Sequence, residues 1–86
     1  MQVRVFLSGR HNDLADTMPR ELTLPDGCLL SQALSELLDR LPADRRPVGT
    51  CLVAVSGTHV GTLAHYRDTA LRPGDELLLL SPVAGG

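Results

Sequence analysis

Eighty-six residues of 9.2 kDa leave room for one hydrophobic core, because two domains would each fall below the size at which a core sustains itself without disulfides or metals. The composition, 43% apolar and 21% charged, excludes the depleted, highly charged make-up of a disordered chain. A formal charge of −2, with eight arginines dispersed among ten carboxylates, leaves no basic stripe for a nucleic-acid backbone, and two aromatic residues, Phe6 and Tyr66, make no stacking platform.

No apolar run approaches the roughly 20 residues that a bilayer span needs, and Met1 to Leu7 lacks the layout of a signal peptide, so neither a membrane nor secretion is expected. The expected compartment is the cytoplasm. There, two cysteines make no disulfide framework, and Cys28 and Cys51 read as small buried hydrophobes rather than reactive thiols.

In chain order, Val3, Val5 and Leu7 alternate with Gln2, Arg4, Phe6 and Ser8, the period-two signature of a strand with one buried face. Gly9 to Asp13 is a polar, turn-prone break. Alternation resumes over residues 20–24 with Leu22 and Leu24 inward, and Pro25, Asp26 and Gly27 end that second strand. From about residue 29 to 41, Leu30, Ala33, Leu34, Leu37, Leu38 and Leu41 recur at steps of three and four, which predicts one amphipathic helix. Its start carries no Ser, Thr or Asp cap, which leaves Asp26 to serve the helix dipole; Pro42 closes its far end.

After a polar connector over 43–50, the run Cys51 to Val55 is nearly all apolar and reads as a strand buried on both faces. Ser56, Gly57 and Thr58 make a turn, with His59 and Val60 as a short return strand. Residues 62–69 carry little pattern and read as loop or a short helical turn. The turn Arg72-Pro73-Gly74-Asp75 then introduces Glu76 and a second apolar run, Leu77 to Leu80, and both runs belong in mid-sheet. Strand, strand, helix, strand, strand, with a single helix to cover one face of a mixed sheet, is an α+β roll. It is expected to occupy residues 1–80, with 81–86 as an extended tail.

The tail reads Ser81, Pro82, Val83, Ala84, Gly85, Gly86. Pro82 biases itself and Ser81 toward extended backbone, and six extended residues reach roughly 20 Å. Glycine lacks a Cβ, so a two-glycine tip threads a channel too narrow for any side chain. The expected reactive group is the α-carboxylate of Gly86, ionised at neutral pH and therefore inert to nucleophiles until ATP converts it to an acyl-adenylate. The chain has no phosphate-binding GxxxxGK[ST] loop and no lysine at all, so activation is expected from a partner that also holds the ATP and magnesium.

Leu71, Arg72, Pro73, Gly74, Asp75 and Glu76, the apolar strand, and Pro82, Val83, Ala84, Gly85 and Gly86 together resemble the end of the ubiquitin-like β-grasp sulfur carriers of the MoaD/ThiS family. Val3, Val5 and Phe6 with Arg10 and Leu14, and Leu52 to Gly57, add weaker matches; the branch nearest this sequence is the small subunit of molybdopterin synthase. The resemblance implies a ubiquitin-like β-grasp fold and a Gly86 carboxylate adenylated by an E1-like adenylyltransferase. A sulfurtransferase or cysteine desulfurase then supplies the sulfur of a thiocarboxylate, and the charged tail, Ser81 to Gly85, inserts into a sulfur-accepting, MoaE-like synthase subunit. Leu79, Leu80 and Ser81 stand where that branch often has an aromatic pair and a second proline, Ser56 where asparagine is frequent, and Leu29 where a helix-capping threonine is usual.

Those departures keep other acceptors open: the same roll and diglycine end serve carriers for thiamin, cysteine and thio-containing natural products. Two further classes are a protein modifier joined to target lysines through Gly86 and a docking domain with an incidental tail. No catalytic residue is expected, since the serines lack a GxSxG elbow and Asp75 and Glu76 are turn and solubility residues on opposite faces. His11, His59, His65 and the cysteines show no paired ligand spacing, so neither a bound metal nor an intrinsic cofactor is expected. Phe6, Leu78 and Leu80 are candidates for an exposed apolar docking patch.

Overall fold

The computed structural model describes residues 1–8, 20–41, 47 and 49–80. The expected break at Gly9 to Asp13, Pro42, most of the 43–50 connector, His11 and the tail Ser81 to Gly86 lie outside them. Among the described residues, five strands and one helix follow in the order β1 (Gln2–Ser8), β2 (Glu21–Thr23), α1 (Leu30–Asp39), β3 (Leu52–Val55), β4 (Thr58–Thr62) and β5 (Glu76–Leu80). The return strand predicted at His59 and Val60 is thus a full member of the sheet.

The sheet order is β2-β1-β5-β3-β4. Its central pair is parallel, with Arg4 beside Glu76, Phe6 beside Leu78 and Ser8 beside Leu80, whereas β1–β2, β3–β4 and β3–β5 are antiparallel. A parallel pair cannot be closed by a tight hairpin, so everything between β1 and β5 is crossover. Both apolar runs lie inside the sheet, as their composition predicts.

Alternation decides which side chains enter the core. Val3, Val5, Leu22, Val53, Leu77 and Leu79 from the strands join Leu30, Ala33, Leu34 and Leu37 from α1 in one buried cluster. Full burial of one such side chain is worth about 1.5–3 kcal/mol. The expectation that the 51–55 run is buried on both faces is not met, and the outer face of the 76–80 run is likewise uncovered among the described residues. Leu52, Ala54 and Leu78 are half-buried and Leu80 is exposed, because the one helix covers one face and nothing described here covers the other. Cys28 and Cys51 are buried, as expected of small hydrophobes.

The β3–β4 hairpin turns on two residues, Ser56 and Gly57, with φ of 47° and 86°. Positive φ at both central positions is the type I′ pattern, whose twist matches that of the flanking strands. The tip is stitched to the start of β5: the Ser56 hydroxyl donates to Asp75 Oδ1 at 2.8 Å and accepts from the Glu76 amide at 3.1 Å. Asp75 Oδ2 accepts from the Arg72 amide at 2.8 Å, closing the 72–75 turn as its residue types suggest.

The start of α1 departs from expectation. Leu29, at the N-cap, has no side-chain acceptor to offer, yet every amide of the first turn finds a partner. Gln32 Oε1 accepts from Leu29 N–H at 2.9 Å and Thr69 O accepts from Leu30 N–H at 2.7 Å. Asp68 accepts from Ser31 through both carboxylate oxygens, from the amide at 2.9 Å and the hydroxyl at 2.6 Å. Asp26, expected to serve the helix dipole, instead lies 3.4 Å from the Met1 amine. The acid that caps the helix comes from a loop 37 residues further along the chain.

Candidate functional site

The candidate docking residues are brought together by strand pairing. Phe6 in β1 is the register partner of Leu78 in β5, and Leu80 is the next residue of β5 on the same face. Phe6 is 44% and Leu80 38% exposed, while Leu78 is half-buried between them. The row extends into β3, where Ala54 pairs with Leu78 and Leu52 with Leu80, adding two side chains that the sequence reading assigned to a doubly buried strand. Their signal was the period of two within the run, Leu52 and Ala54 against Val53 and Val55, hidden because both sets are apolar.

An apolar ridge therefore crosses three strands on the sheet face opposite α1. One end is polar, where Arg4 and Glu76 are register partners with guanidinium and carboxylate 3.9 Å apart. Both side chains are well exposed, so the pair adds solubility and little stability. At the other end Leu80 is the last described residue of β5, and the chain continues directly into Ser81, Pro82, Val83, Ala84, Gly85 and Gly86. The six tail positions lie outside the described residues. The ridge reaches to the point from which they start.

The other residues weighed for chemistry do not converge. Cys51 is fully buried, and burial pushes its thiol up from an ordinary value of 9.0, which keeps it protonated and unreactive at neutral pH. His59 and His65 are exposed and belong to different segments, β4 and the loop after it. Among the described residues no helix is long and apolar enough to cross a membrane. Among the described residues the ridge is an exposed apolar face of the kind that another protein covers.

A five-stranded mixed sheet gripping one helix, with its first and last strands parallel at the centre, is the ubiquitin-like β-grasp fold. Residues 5–86 match the model of the ThiS family, and the chain belongs to that family of sulfur carriers. It is 26% identical over 86 residues to the molybdopterin synthase sulfur carrier subunit of Chlamydomonas reinhardtii, with 100% of both chains covered. Among solved structures it is similar to a chain in the complex of subunits 1 and 2 of molybdopterin-converting factor from Helicobacter pylori 26695. That likeness has a TM-score of 0.62 and 24% identity over 100% of both chains, and it speaks for the fold.

Proposed function

We propose that this protein is a sulfur carrier working through the carboxylate of Gly86, with a molybdopterin synthase as the destination of its sulfur. A carboxylate oxygen of Gly86 attacks the α-phosphorus of ATP in the active site of an E1-like adenylyltransferase, and pyrophosphate leaves. The outer sulfur of a persulfide on a sulfurtransferase or cysteine desulfurase then displaces AMP to give an acyl disulfide, and a partner thiol attacks the donor-side sulfur of that bond, releasing the thiocarboxylate and leaving a disulfide on the partners. The ionised sulfur is soft and nucleophilic, and insertion of Ser81 to Gly86 into a synthase channel presents it to the acceptor while excluding hydrolysing water. This chain contributes position and the partners supply the catalytic groups.

The observation that carries the reading is the family match, which runs without interruption from the first strand through the tail. The name of the Chlamydomonas relative favours the molybdopterin branch over carriers for thiamin, cysteine or natural products. Phe6, Leu78 and Leu80, with Leu52 and Ala54, are the face that the synthase subunit covers while the tail is inserted.

Gly86→Val tests the mechanism. Incubated with ATP, the activating enzyme and the sulfur donor, the natural protein gains the mass difference between sulfur and oxygen, whereas the variant stays unchanged in mass and keeps its urea midpoint. Normal charging of the variant overturns the proposal. Recovery of Gly86 joined to lysines of heavier proteins, with no thiocarboxylate in cells, favours the modifier reading instead.

A further inference from the structure

At the pole of the sheet opposite Leu80, a concavity of about 260 Å³ opens between the β3–β4 hairpin and the 67–75 loop. Aliphatic Val55, Val60 and Ala70 line it together with Arg67, Arg72 and hydroxyl-bearing Thr58. It lies before the start of β5, and the five residues of that strand, at about 3.3 Å each, separate it from Leu80 and the tail. None of the ridge residues belongs to it.

The charge balance of the cleft is uneven. Among the described residues neither Arg67 nor Arg72 has a carboxylate within 4.0 Å, whereas Arg4 and Arg40 each do. The two nearby acids are already engaged. Asp75 lines the cleft, but one of its oxygens accepts from Ser56 Oγ and the other from the Arg72 amide. Asp68 is not part of the lining, and its carboxylate is held by Ser31 and the Thr69 amide. Among the described residues, two guanidiniums are thus left beside an aliphatic surface without a carboxylate partner.

We propose that this cleft is a second docking site, which takes an acidic segment of a partner protein with glutamate side chains reaching Arg67 and Arg72. Guanidinium pairs bidentately with carboxylate, and the aliphatic lining suits the methylenes of glutamate. No aromatic residue lines the cleft, so a nucleotide finds no stacking platform, and the net charge of −2 gives polyanions no general attraction. Because the cleft lies at the end of β5 away from Leu80, where the tail begins, the acidic partner binds while the tail is engaged elsewhere.

Amide shifts of the 15N-labelled protein, titrated with an acetylated tetraglutamate amide and with its tetraglutamine counterpart, test the site. The expected result is saturable movement of the Thr58, Val60, Arg67 and Ala70 amides with the glutamate peptide alone, with the Phe6 and Leu78 amides still. The pair Arg67→Gln and Arg72→Gln weakens binding at least about tenfold, each single change does so by less, and the two Arg→Lys changes retain more of it. The backbone bonds of both residues, Arg67 N–H to Val60 O at 2.9 Å and Arg72 N–H to Asp75 at 2.8 Å, do not need the guanidiniums, so these variants keep the fold. Absence of saturable shifts, equal shifts with the glutamine peptide, unchanged binding by the double variant, or equal shifts from inorganic phosphate at the same concentration overturns the proposal. The titration uses neither activating enzyme nor sulfur donor, so its outcome is separate from that of the carrier reading.

Discussion

Gly61 shows how a single missing Cβ holds a sheet edge in shape. Its φ of 139° lies where side chains are rarely tolerated, and a Cβ there would sit 2.6 Å from Tyr66 Cα and closer still to His65 O. The contact exists because residues after β4 fold back onto it, with Gly61 bridged to Tyr66 and the Arg67 amide bonded to Val60 O at 2.9 Å. Gly57 has a φ of 86° but open space where a Cβ would be. Gly57→Ala therefore costs about 1 kcal/mol, from backbone strain alone, whereas Gly61→Ala adds a collision with main chain and costs more than about 2 kcal/mol. Urea unfolding of the two variants measures the difference; equal losses would show that the fold-back relaxes around the methyl group. The glycine at 57 was legible in the sequence as part of a turn. The requirement at 61 was not, because it arises from a strand-to-loop approach that no local pattern encodes.

At the scale of the element, α1 was legible from its stripe and its start was not. Leu30, Ala33, Leu34 and Leu37 are buried as their spacing predicts, and the observed bounds, Leu30–Asp39, fall one or two residues inside the expected span. The capping acid, by contrast, is remote in sequence, so a search limited to the neighbours of Leu29 settles on Asp26. The Ser31 hydroxyl, followed by the Ser31 amide, holds the Asp68 carboxyl below its ordinary value of 3.8; desolvation opposes them, and the Thr69 amide adds the least. A depressed folded value means that this contribution to stability is complete above the ordinary carboxylate range and is lost as pH falls through the lower folded value. Asp68→Asn thus lowers the melting temperature at pH 7, and the gap from the natural protein closes as the pH is brought down to about 2. A gap of constant size from pH 7 to pH 2 would mean that the carboxylate charge is not what the helix start uses.

For the whole molecule, α1 on a five-stranded sheet leaves a face that none of the described residues covers. The strands, their order along the chain and the α+β class were readable from alternation and turn residues. That the 51–55 run is buried on one face only was not, because a continuous run looks the same whether its second face meets a helix or a future partner. Phe6 and Leu80 sit on that face at 44% and 38% exposure, so removing either side chain takes little from the core. Phe6→Ala should therefore lower stability by less than about 1.5 kcal/mol, since only part of the ring is withdrawn from water in the free protein. If the ridge is covered by the synthase subunit, the ring becomes a central aromatic anchor there, and losing it raises Kd for that subunit at least about tenfold. The same affinity should vary little with ionic strength, because apolar contact is not screened, whereas glutamate binding at Arg67 and Arg72 should weaken steeply with added salt. Titration calorimetry of Phe6→Ala against the synthase subunit at low and high salt reads both effects, and an unchanged Kd would remove the sheet face from the docking surface, leaving the tail to carry the interaction.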